Sequence, residues 1–269
     1  MIVIANNLTT RNRKINQVFR EAQTTGWNPD QVPADILKEY ARQSVAAGAD
    51  VLEINIQQHF DQPEAMVFAV RAIQQITDQS LCLSTNNPEA LEAGLAVCKR
   101  PPLVNYISVD DIRLNKMLPL VAEKGASVVL LVSDPAAPCD AREMLFKASI
   151  LIGALNEAGI PNDNIIIDPG LIHIAGELGQ RHLVEVIEFL RAIHATETTI
   201  RSTCWLGNIA AGVPRRLRPV LETALFPMLI GLGLSSVFMD VSRRENMRIV
   251  RLTRIFHNES VYADSDVEL

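Results

Sequence analysis

The stretch N-I-I-I-D-P-G at residues 164–170 decides the fold. Three consecutive β-branched apolar residues end at Asp168, and Pro169 and Gly170 then turn the chain. A short run that is apolar at every position is typical of a strand in a parallel sheet, which is buried on both faces. The stretch therefore predicts a buried strand that delivers one carboxylate to its carboxyl end.

The same pattern recurs in both directions from this stretch, and helical segments alternate with the strands. The predicted strands cover residues 2–5, 51–54, 81–83, 103–107, 127–132, 165–168, 199–205 and 235–239. The predicted helices cover residues 33–47, 63–76, 88–97, 110 or 111 to 123, 141–158, 183–194, 218–230 and 244–256. Eight such alternations favour a closed (β/α)8 TIM barrel over an open doubly wound sheet. We expect one α/β domain over residues 1–269, with a polar tail from about residue 258.

The composition narrows the class of protein. The chain is 48% hydrophobic and has a formal net charge of -6, which argues against a nucleic-acid or anionic-membrane surface. The most apolar window, residues 224–234, contains Pro227 and is too short to span a bilayer. The N-terminus has no basic leader with a long apolar core, and the four cysteines form no CxxC motif. We therefore expect a cytoplasmic protein with free thiols and no membrane contact.

Polar residues close the predicted strands, at the edge where a βα barrel carries its active site. They are Asn6 or Asn7, Asn55, Ser84 with its following asparagines, Asn105, Asp168, Asn208 and Asp240. The set contains no histidine pair and no dense carboxylate cluster, so we expect no metal site. The chain also has no GxGxxG and no GxxxxGK[ST] motif, which excludes the common nucleotide-phosphate loops.

Carboxamides both donate and accept hydrogen bonds, and a lone carboxylate accepts two N–H bonds. A ring of carboxamides around Asp168 therefore suits a planar heterocycle such as a 2-amino-pyrimidinone. The alternative is that each asparagine caps a helix or shapes a loop, and that Asp168 is a turn aspartate. Arg215, Arg216 and Arg218 form either a solvated basic turn or a site for an anionic tail or an acidic partner.

Five segments resemble the pterin-binding methyltransferases. They read G-A-D-V-L-E-I-N, L-C-L-S-T-N-N-P-E-A-L-E-A-G-L, V-N-Y, I-I-I-D-P and L-G-N. They are most similar to the methyltetrahydrofolate:corrinoid/iron–sulfur protein methyltransferases. The folate domain of cobalamin-dependent methionine synthase and dihydropteroate synthase are more distant relatives. The resemblance implies a TIM barrel that holds tetrahydrofolate or 5-methyltetrahydrofolate at its mouth.

The resemblance also assigns roles to residues. Asn105 and Asp168 match residues that bond the pterin, and Asn55 matches the asparagine that ends the second strand. Asn208 matches the asparagine that reaches toward N5, which makes it the candidate catalytic residue. The full set expected to bind substrate is Asn6, Asn55, Ser84, Asn86, Asn105, Asp168 and Arg218.

Two positions depart from the family pattern. Ser84 stands where the family usually has an aspartate, and the first strand reads I-A-N-N-L where relatives read closer to G-E-R-I-N. We expect Asn86 or Asn87 to replace part of the missing acceptor, and Ser84→Asp to tighten pterin binding.

The resulting hypothesis is methyl transfer between N5 of (methyl)tetrahydrofolate and the cobalt of a cobalamin-type corrinoid. A partner protein is expected to carry this corrinoid, the transferase is expected to be a homodimer, and the direction of transfer is open. One alternative, motivated by Ser84, is a non-catalytic pterin-binding or corrinoid-protein-binding relative. A second is dihydropteroate synthase, which D-P-G supports, although no lysine and no terminal basic-His motif follow as that family requires.

Overall fold

The computed structural model describes residues 1–28, 34–110, 112–197 and 199–267. In these ranges eight parallel strands form a nearly closed barrel with the order β7-β6-β5-β4-β3-β2-β1-β8. The strands are β1 (Ile2–Thr9), β2 (Val51–Asn55), β3 (Ser80–Ser84), β4 (Leu103–Ile107), β5 (Ser127–Leu131), β6 (Ile165–Asp168), β7 (Arg201–Ser202) and β8 (Ser236–Met239). The predicted (β/α)8 TIM barrel is confirmed.

Helices connect the strands and surround the barrel. They are α1 (Arg13–Thr24), α2 (Asp35–Ala46), α3 (Pro63–Gln74), α4 (Pro88–Val97), α5 (Leu118–Lys124), α6 (Ala141–Glu157), α7 (Glu177–Thr196), α8 (Arg218–Gly231) and α9 (Arg244–Phe256). Helix α5 follows a π-helical turn at Arg113–Met117. The predicted helix start at residue 33 and the candidate cap Asp111 lie outside the described residues.

Helix α1 was missed by the sequence prediction, which placed only a polar loop between the first strand and the helix starting at residue 33. Asn12 caps this helix by accepting a hydrogen bond from the Lys14 backbone N–H. Its buried side chains are Ile15, Val18, Phe19 and Ala22, which have the i, i+3, i+4, i+7 spacing of an amphipathic helix. The signal was therefore present in the sequence.

Strand β1 is longer than predicted. It runs to Thr9 instead of ending at Asn6, and its pairing with β2 shifts register between Ala5 and Leu8. Such a bulge adds a residue to one strand and changes the direction of the side chains beyond it. Asn6 therefore lies inside the strand rather than at its tip.

Strand β7 is shorter than predicted, because only Arg201–Ser202 pair regularly with β6. Beyond them the chain stays close to β8, where the Phe238 N–H donates to the Cys204 carbonyl at 2.9 Å. Trp205 and Phe238 form an isolated parallel bridge. These contacts bring the last two strands together and nearly close the barrel.

The inside of the barrel has an apolar layer, which we call the barrel plug. It consists of Ile4, Cys82, Leu103, Val129, Ile166 and Phe238, all buried. Side chains alternate along a strand, so the residue two positions later points to the same interior. On β3, β4 and β6 that residue is Ser84, Asn105 or Asp168. The periodicity thus stacks polar side chains directly above the plug.

None of the helices in the described ranges combines the length and the apolar character needed to cross a bilayer.

All four cysteines are free thiols, as the sequence predicted. Cys82 and Cys204 are buried, and Cys98 and Cys139 are partly buried.

Candidate functional site

A cavity of about 160 Å³ lies at the carboxyl ends of the strands, and we call it the mouth cavity. Its lining residues are Arg11, Asn55, Gln57, Asn105, Tyr106, Leu131, Pro135, Asp168, Gly170, Trp205 and Asn208. Asn55, Asn105, Asp168 and Asn208, all singled out from the sequence, therefore lie together around one space.

Asp168 ends β6 and is only 3% exposed. One of its carboxylate oxygens, Oδ1, accepts a hydrogen bond of 2.8 Å from the Gly170 N–H, and within the described residues its carboxylate has no other hydrogen-bond donor. Burial raises the pKa of Asp168 to about 7, and the bond from Gly170 opposes this rise. The carboxyl keeps most of its hydrogen-bonding capacity for the cavity.

The turn after Asp168 depends on Gly170. Its φ of 76° lies in the left-handed region, and a Cβ there would be 2.2 Å from the Ser133 carbonyl oxygen. Glycine is therefore required for the tight D-P-G turn that holds Asp168 at the cavity.

Glu53 is a residue beneath the mouth cavity that the sequence reasoning missed. It lies on β2, it is fully buried, and its Oε1 accepts hydrogen bonds from the Ser84 hydroxyl and, at 3.1 Å, from Asn55 Nδ2. Its Oε2 has no hydrogen-bond partner among the described residues. Burial raises the pKa of Glu53 to about 7, while these hydrogen bonds, Asn105 and the charge of Arg11 oppose the rise. A charged residue inside the apolar run V-L-E-I-N was the available signal.

Ser84 lies beneath the mouth cavity rather than in its wall. It is fully buried, and its oxygen accepts a hydrogen bond of 3.0 Å from Asn105 Nδ2. Asn86 and Asn87, which were expected to compensate, are not among the described residues that line the mouth cavity, and both side chains have other partners. Asn87 caps α4 through the Glu89 N–H, and the exposed Asn86 accepts a hydrogen bond from Arg113 at 2.5 Å. The carboxylate next to Ser84 comes from Glu53 instead.

Asn208 lies on the short 3-10 segment Leu206–Ala210. Its Nδ2 donates to the Leu171 carbonyl at 3.1 Å, which leaves its second N–H and its Oδ1 for other partners. Next to it, the Trp205 ring stacks on Phe238 with a centroid distance of 5.1 Å and an interplanar angle of 10°. Trp205 was not predicted as a site residue, and its stacking fixes an aromatic wall of the cavity.

Asn6 and Arg218 are not brought to the mouth cavity. Asn6 lines a neighbouring cavity of about 410 Å³ together with Tyr40 and Asp240, and of the described residues only Arg11 lines both cavities. Arg218 donates through Nε to the Val213 carbonyl of its own loop at 2.8 Å. The structure gives these two predicted residues a position outside the mouth cavity.

The mouth cavity is lined by amide groups, one arginine and one buried carboxyl group, and a second buried carboxyl group, that of Glu53, lies beneath it. The described residues contain no group of three or more histidine, cysteine, aspartate or glutamate side chains that could hold a metal ion. The cavity is smaller than the roughly 300–1,000 Å³ of common ligand pockets, so it fits one end of a larger ligand. Amides, a carboxyl and an aromatic face together suit a flat heterocycle with N–H donors on its edge.

The sequence profile of the family described as "Pterin binding enzyme" matches residues 31–215. The chain belongs to this family. Its predicted resemblance to pterin-binding proteins is confirmed.

Two curated proteins illustrate the range of its relatives. A methylcorrinoid:tetrahydrofolate methyltransferase of Eubacterium limosum is 24% identical over 194 residues, which cover 71% of this chain and 70% of that protein. A methionine synthase of Mycobacterium tuberculosis is 28% identical over 174 residues, and these are 61% of this chain but only 14% of that protein.

Solved structures show the same fold. A dihydropteroate synthase from Thermus thermophilus superposes with a TM-score of 0.66 at 20% identity, over 93% of this chain and 92% of that one. A dihydropteroate synthase from Yersinia pestis also gives 0.66 at 18% identity, over 94% and 93%. At this identity the similarity describes the fold and not the reaction.

Proposed function

We propose that this pterin-binding protein transfers a methyl group between N5 of (methyl)tetrahydrofolate and the cobalt of a corrinoid carried by a partner protein. The observation that carries the proposal is the convergence of Asn105, Asp168 and Asn208 on one mouth cavity. The similarity to a methylcorrinoid:tetrahydrofolate methyltransferase over most of the chain supports it. Either direction of transfer uses the same groups.

Asp168 anchors the pyrimidinone edge of the pterin in this proposal. Its carboxylate has open acceptor capacity and borders the cavity. A deprotonated carboxyl accepts two N–H bonds from a 2-amino-pyrimidinone, and charge-assisted bonds of this kind are the strong ones. Asn105 adds a further polar contact, and the flat face of Trp205 packs against the ring.

The Asn55 side chain is held in place by hydrogen bonds to its neighbours. Its Nδ2 donates to Glu53 and its Oδ1 accepts a hydrogen bond from the Gln57 N–H at 3.4 Å. Its amide is thus held by the protein, and we propose that it shapes the floor beneath the pterin.

Asn208 acts at N5 in this proposal. When the methyl group leaves N5, an electron pair is left on the nitrogen, and a hydrogen-bond donor stabilises the charge that develops. One N–H of Asn208 is fixed by the Leu171 carbonyl, which orients the amide and leaves the other for N5. The corrinoid, when bound on its partner, supplies the cobalt that accepts or donates the methyl group.

A second candidate is a pterin-binding protein without catalysis. The observation that favours it is that Ser84 lacks a carboxylate and offers no group to the cavity wall. Pterin binding is common to both candidates, and methyl transfer separates them. We do not propose dihydropteroate synthase, because the sequence after Asp168 lacks the lysine that this activity requires.

A fluorescence titration tests pterin binding, because the chain has two tryptophans in different surroundings. Trp205 borders the mouth cavity, whereas Trp27 packs against Phe19, Phe60 and Phe68. Tetrahydrofolate should quench the fluorescence of the native protein and of Trp27→Phe, while Trp205→Phe should lose the response. No quenching up to near-millimolar ligand would contradict the pterin proposal.

Methyl transfer is then measured with 5-methyltetrahydrofolate and free cob(I)alamin as a substitute for the corrinoid protein. The expected result is conversion of cob(I)alamin to methylcobalamin, followed by its absorbance. Binding of tetrahydrofolate without transfer to free or protein-bound corrinoid would favour the non-catalytic candidate.

We also propose a cytoplasmic homodimer of a single barrel domain. Large apolar side chains are exposed on α6 and α7, among them Phe146 at 65% and Leu178 at 63%. These two helices pack against one another, and we propose that a second copy covers both residues. Sedimentation of the native protein and of Phe146→Glu should show a dimer and a weakened dimer, respectively.

A further inference from the structure

We propose that Glu53 is a positioning residue which fixes the hydrogen-bonding polarity of the mouth cavity. Through Ser84 it turns the Asn105 amide so that its carbonyl oxygen, not its NH2 group, faces the ligand. This inference rests on the proposed pterin binding and adds to it a residue that determines specificity.

The strand register places Glu53 one row below the cavity. Glu53 pairs with Cys82, while Asn55 pairs with Ser84, and Ser84 pairs with Asn105. The backbone of Glu53 therefore lies level with the barrel plug, and its side chain extends toward the carboxyl ends of the strands, to the level of Ser84 and Asn105. It is fully buried there and ends beside the Ser84 hydroxyl.

The number of donors decides the orientation of the amide. A serine hydroxyl has one hydrogen, and the Ser84 hydrogen is given to Glu53 Oε1. The Ser84 oxygen therefore acts as the acceptor for the Asn105 Nδ2 bond of 3.0 Å. With its NH2 group directed at Ser84, Asn105 presents Oδ1 to the cavity that it lines.

The hydrogen bonds that Oε1 of Glu53 accepts from Ser84 and Asn55 do not depend on whether the carboxyl is charged. A proton on the carboxyl occupies Oε2, the oxygen without a partner among the described residues. Oε1 then still accepts from Ser84 and from Asn55. The polarity of the cavity is thus set by an acceptor at Oε1 rather than by a negative charge.

The consequence is selectivity for ligands that present N–H donors. Asp168 is an acceptor on one side of the cavity, and Asn105 is an acceptor on another. Pterin carries an amino group at position 2, whereas lumazine carries an oxo group there. An oxo group facing a carbonyl or a carboxylate oxygen removes the donors that the 2-amino group supplies and places two acceptors against each other, which is unfavourable in a buried site. The native protein should therefore prefer pterin to lumazine.

The test measures the ratio of pterin to lumazine affinity in the native protein and in Glu53 variants by fluorescence titration. We expect the native protein to prefer pterin by roughly tenfold or more, from the usual penalty of an unpaired buried group. Glu53→Gln keeps an acceptor oxygen for Ser84, so its ratio should stay within about threefold of the native value. Glu53→Met has no acceptor, which frees the Ser84 hydrogen for Asn105 Oδ1, and the ratio should fall at least roughly fivefold.

A rescue variant separates positioning from a general packing defect. In Glu53→Met/Ser84→Asp, the new carboxylate again accepts from Asn105 Nδ2, and the selectivity should return. Ser84→Ala removes the hydroxyl with little change in volume and should lose selectivity as Glu53→Met does. Thermal unfolding shows whether each variant is folded. If Glu53→Met does not fold, the Ser84→Ala variant still tests the proposal.

Three results would overturn the proposal. They are an unchanged ratio in folded Ser84→Ala or Glu53→Met, a loss in Glu53→Gln as large as in Glu53→Met, and a double variant without rescue. Failure of the proposed function looks different, because the native protein would then bind neither pterin nor tetrahydrofolate.

Discussion

Two buried carboxyl groups stand on different strands, one at the mouth cavity and one beneath it, and they differ in what their oxygens bind. Glu53 on β2 and Asp168 on β6 are at most 3% exposed, and burial raises the pKa of each to about 7. Oε1 of Glu53 is occupied by Ser84 and Asn55, whereas the carboxylate of Asp168 accepts only the Gly170 N–H within the described part of the chain. Burial and a raised pKa therefore do not distinguish the two groups. Their positions do, because Asp168 lines the mouth cavity and Glu53 lies beneath it.

The difference follows from where each residue stands on its strand. Asp168 is the last residue of β6, and the turn at Gly170 leaves it at the cavity. Glu53 is two residues before the end of β2, so Asn55 lies between it and the cavity. The interior of the barrel thus holds one carboxyl group at the cavity and a second carboxyl group closer to the barrel plug.

The largest expected effect concerns the pH dependence of stability. A carboxyl whose pKa is about 7 in the folded protein and 4.5 when unfolded binds more protons in the folded state between these values. Stability is then highest at low pH and falls as the pH rises through 7. Glu53→Gln removes this contribution and should gain up to about 3 kcal/mol relative to the native protein between pH 5 and pH 8.

Urea unfolding at both pH values measures this prediction. The groups that face Glu53 are Ser84, Asn55, Asn105 and Arg11, which lower its pKa, and Cys82, which packs beside it. Glu222 is the matched control, because its pKa is also raised by burial but it lies on α8, outside the mouth cavity. An unchanged pH dependence in Glu53→Gln would contradict the buried, proton-binding state.

The next largest effect is expected at Asp168. Asp168→Asn removes the charge and one acceptor, so pterin affinity should fall roughly 10- to 100-fold, as charge-assisted hydrogen bonds contribute about 1.5–3 kcal/mol. Fluorescence titration measures it. Asp240→Asn is the control, because Asp240 bonds Asn7 at 2.6 Å in the neighbouring cavity, and its affinity should change less than about threefold. An equal loss of pterin affinity in both variants would contradict the proposed role of Asp168.

A smaller effect is expected from Ser84→Asp, and it concerns the stability of the fold rather than the pterin affinity for which the sequence predicted an increase. The new carboxylate would stand beside Glu53 in a fully buried position. Two like charges there destabilise the fold or force one carboxyl to keep its proton, which costs about 1–2 kcal/mol at pH 8. Ser84→Asn has the same size without the charge. If both variants unfold at the same urea concentration, there is no destabilising repulsion between Glu53 and the new aspartate.

The smallest effect is expected at Asn208. Asn208→Ala should slow methyl transfer about tenfold, because one donor to the developing charge at N5 is lost. Tetrahydrofolate affinity should change less than about threefold. Single-turnover transfer rates and titrations separate the two quantities. A variant with native rate and weakened binding would make Asn208 a binding group only.

The sequence predicted the barrel and three of the residues that carry the proposal. Asn105, Asp168 and Asn208 were found because each follows an apolar run, and the carboxyl ends of parallel strands meet at one face. Glu53 was overlooked because it stands inside its run. Three residues were expected in the site for different reasons: Asn6 as a strand end, Asn86 as compensation for Ser84, and Arg218 from the resemblance. A bulge, a bond to Arg113 and a bond to the Val213 carbonyl place them elsewhere.

The sequence by itself determined the alternation of strands and helices and the polar strand ends, because periodicity, caps and turn residues act over a few neighbouring positions. Only the tertiary structure decided that Glu53 meets Ser84, which is 31 residues away along the chain. That contact depends on the register between two strands and on the length of a side chain that reaches from one row to the next. The physical reason is that register is set by the packing of the whole barrel, which no local pattern records.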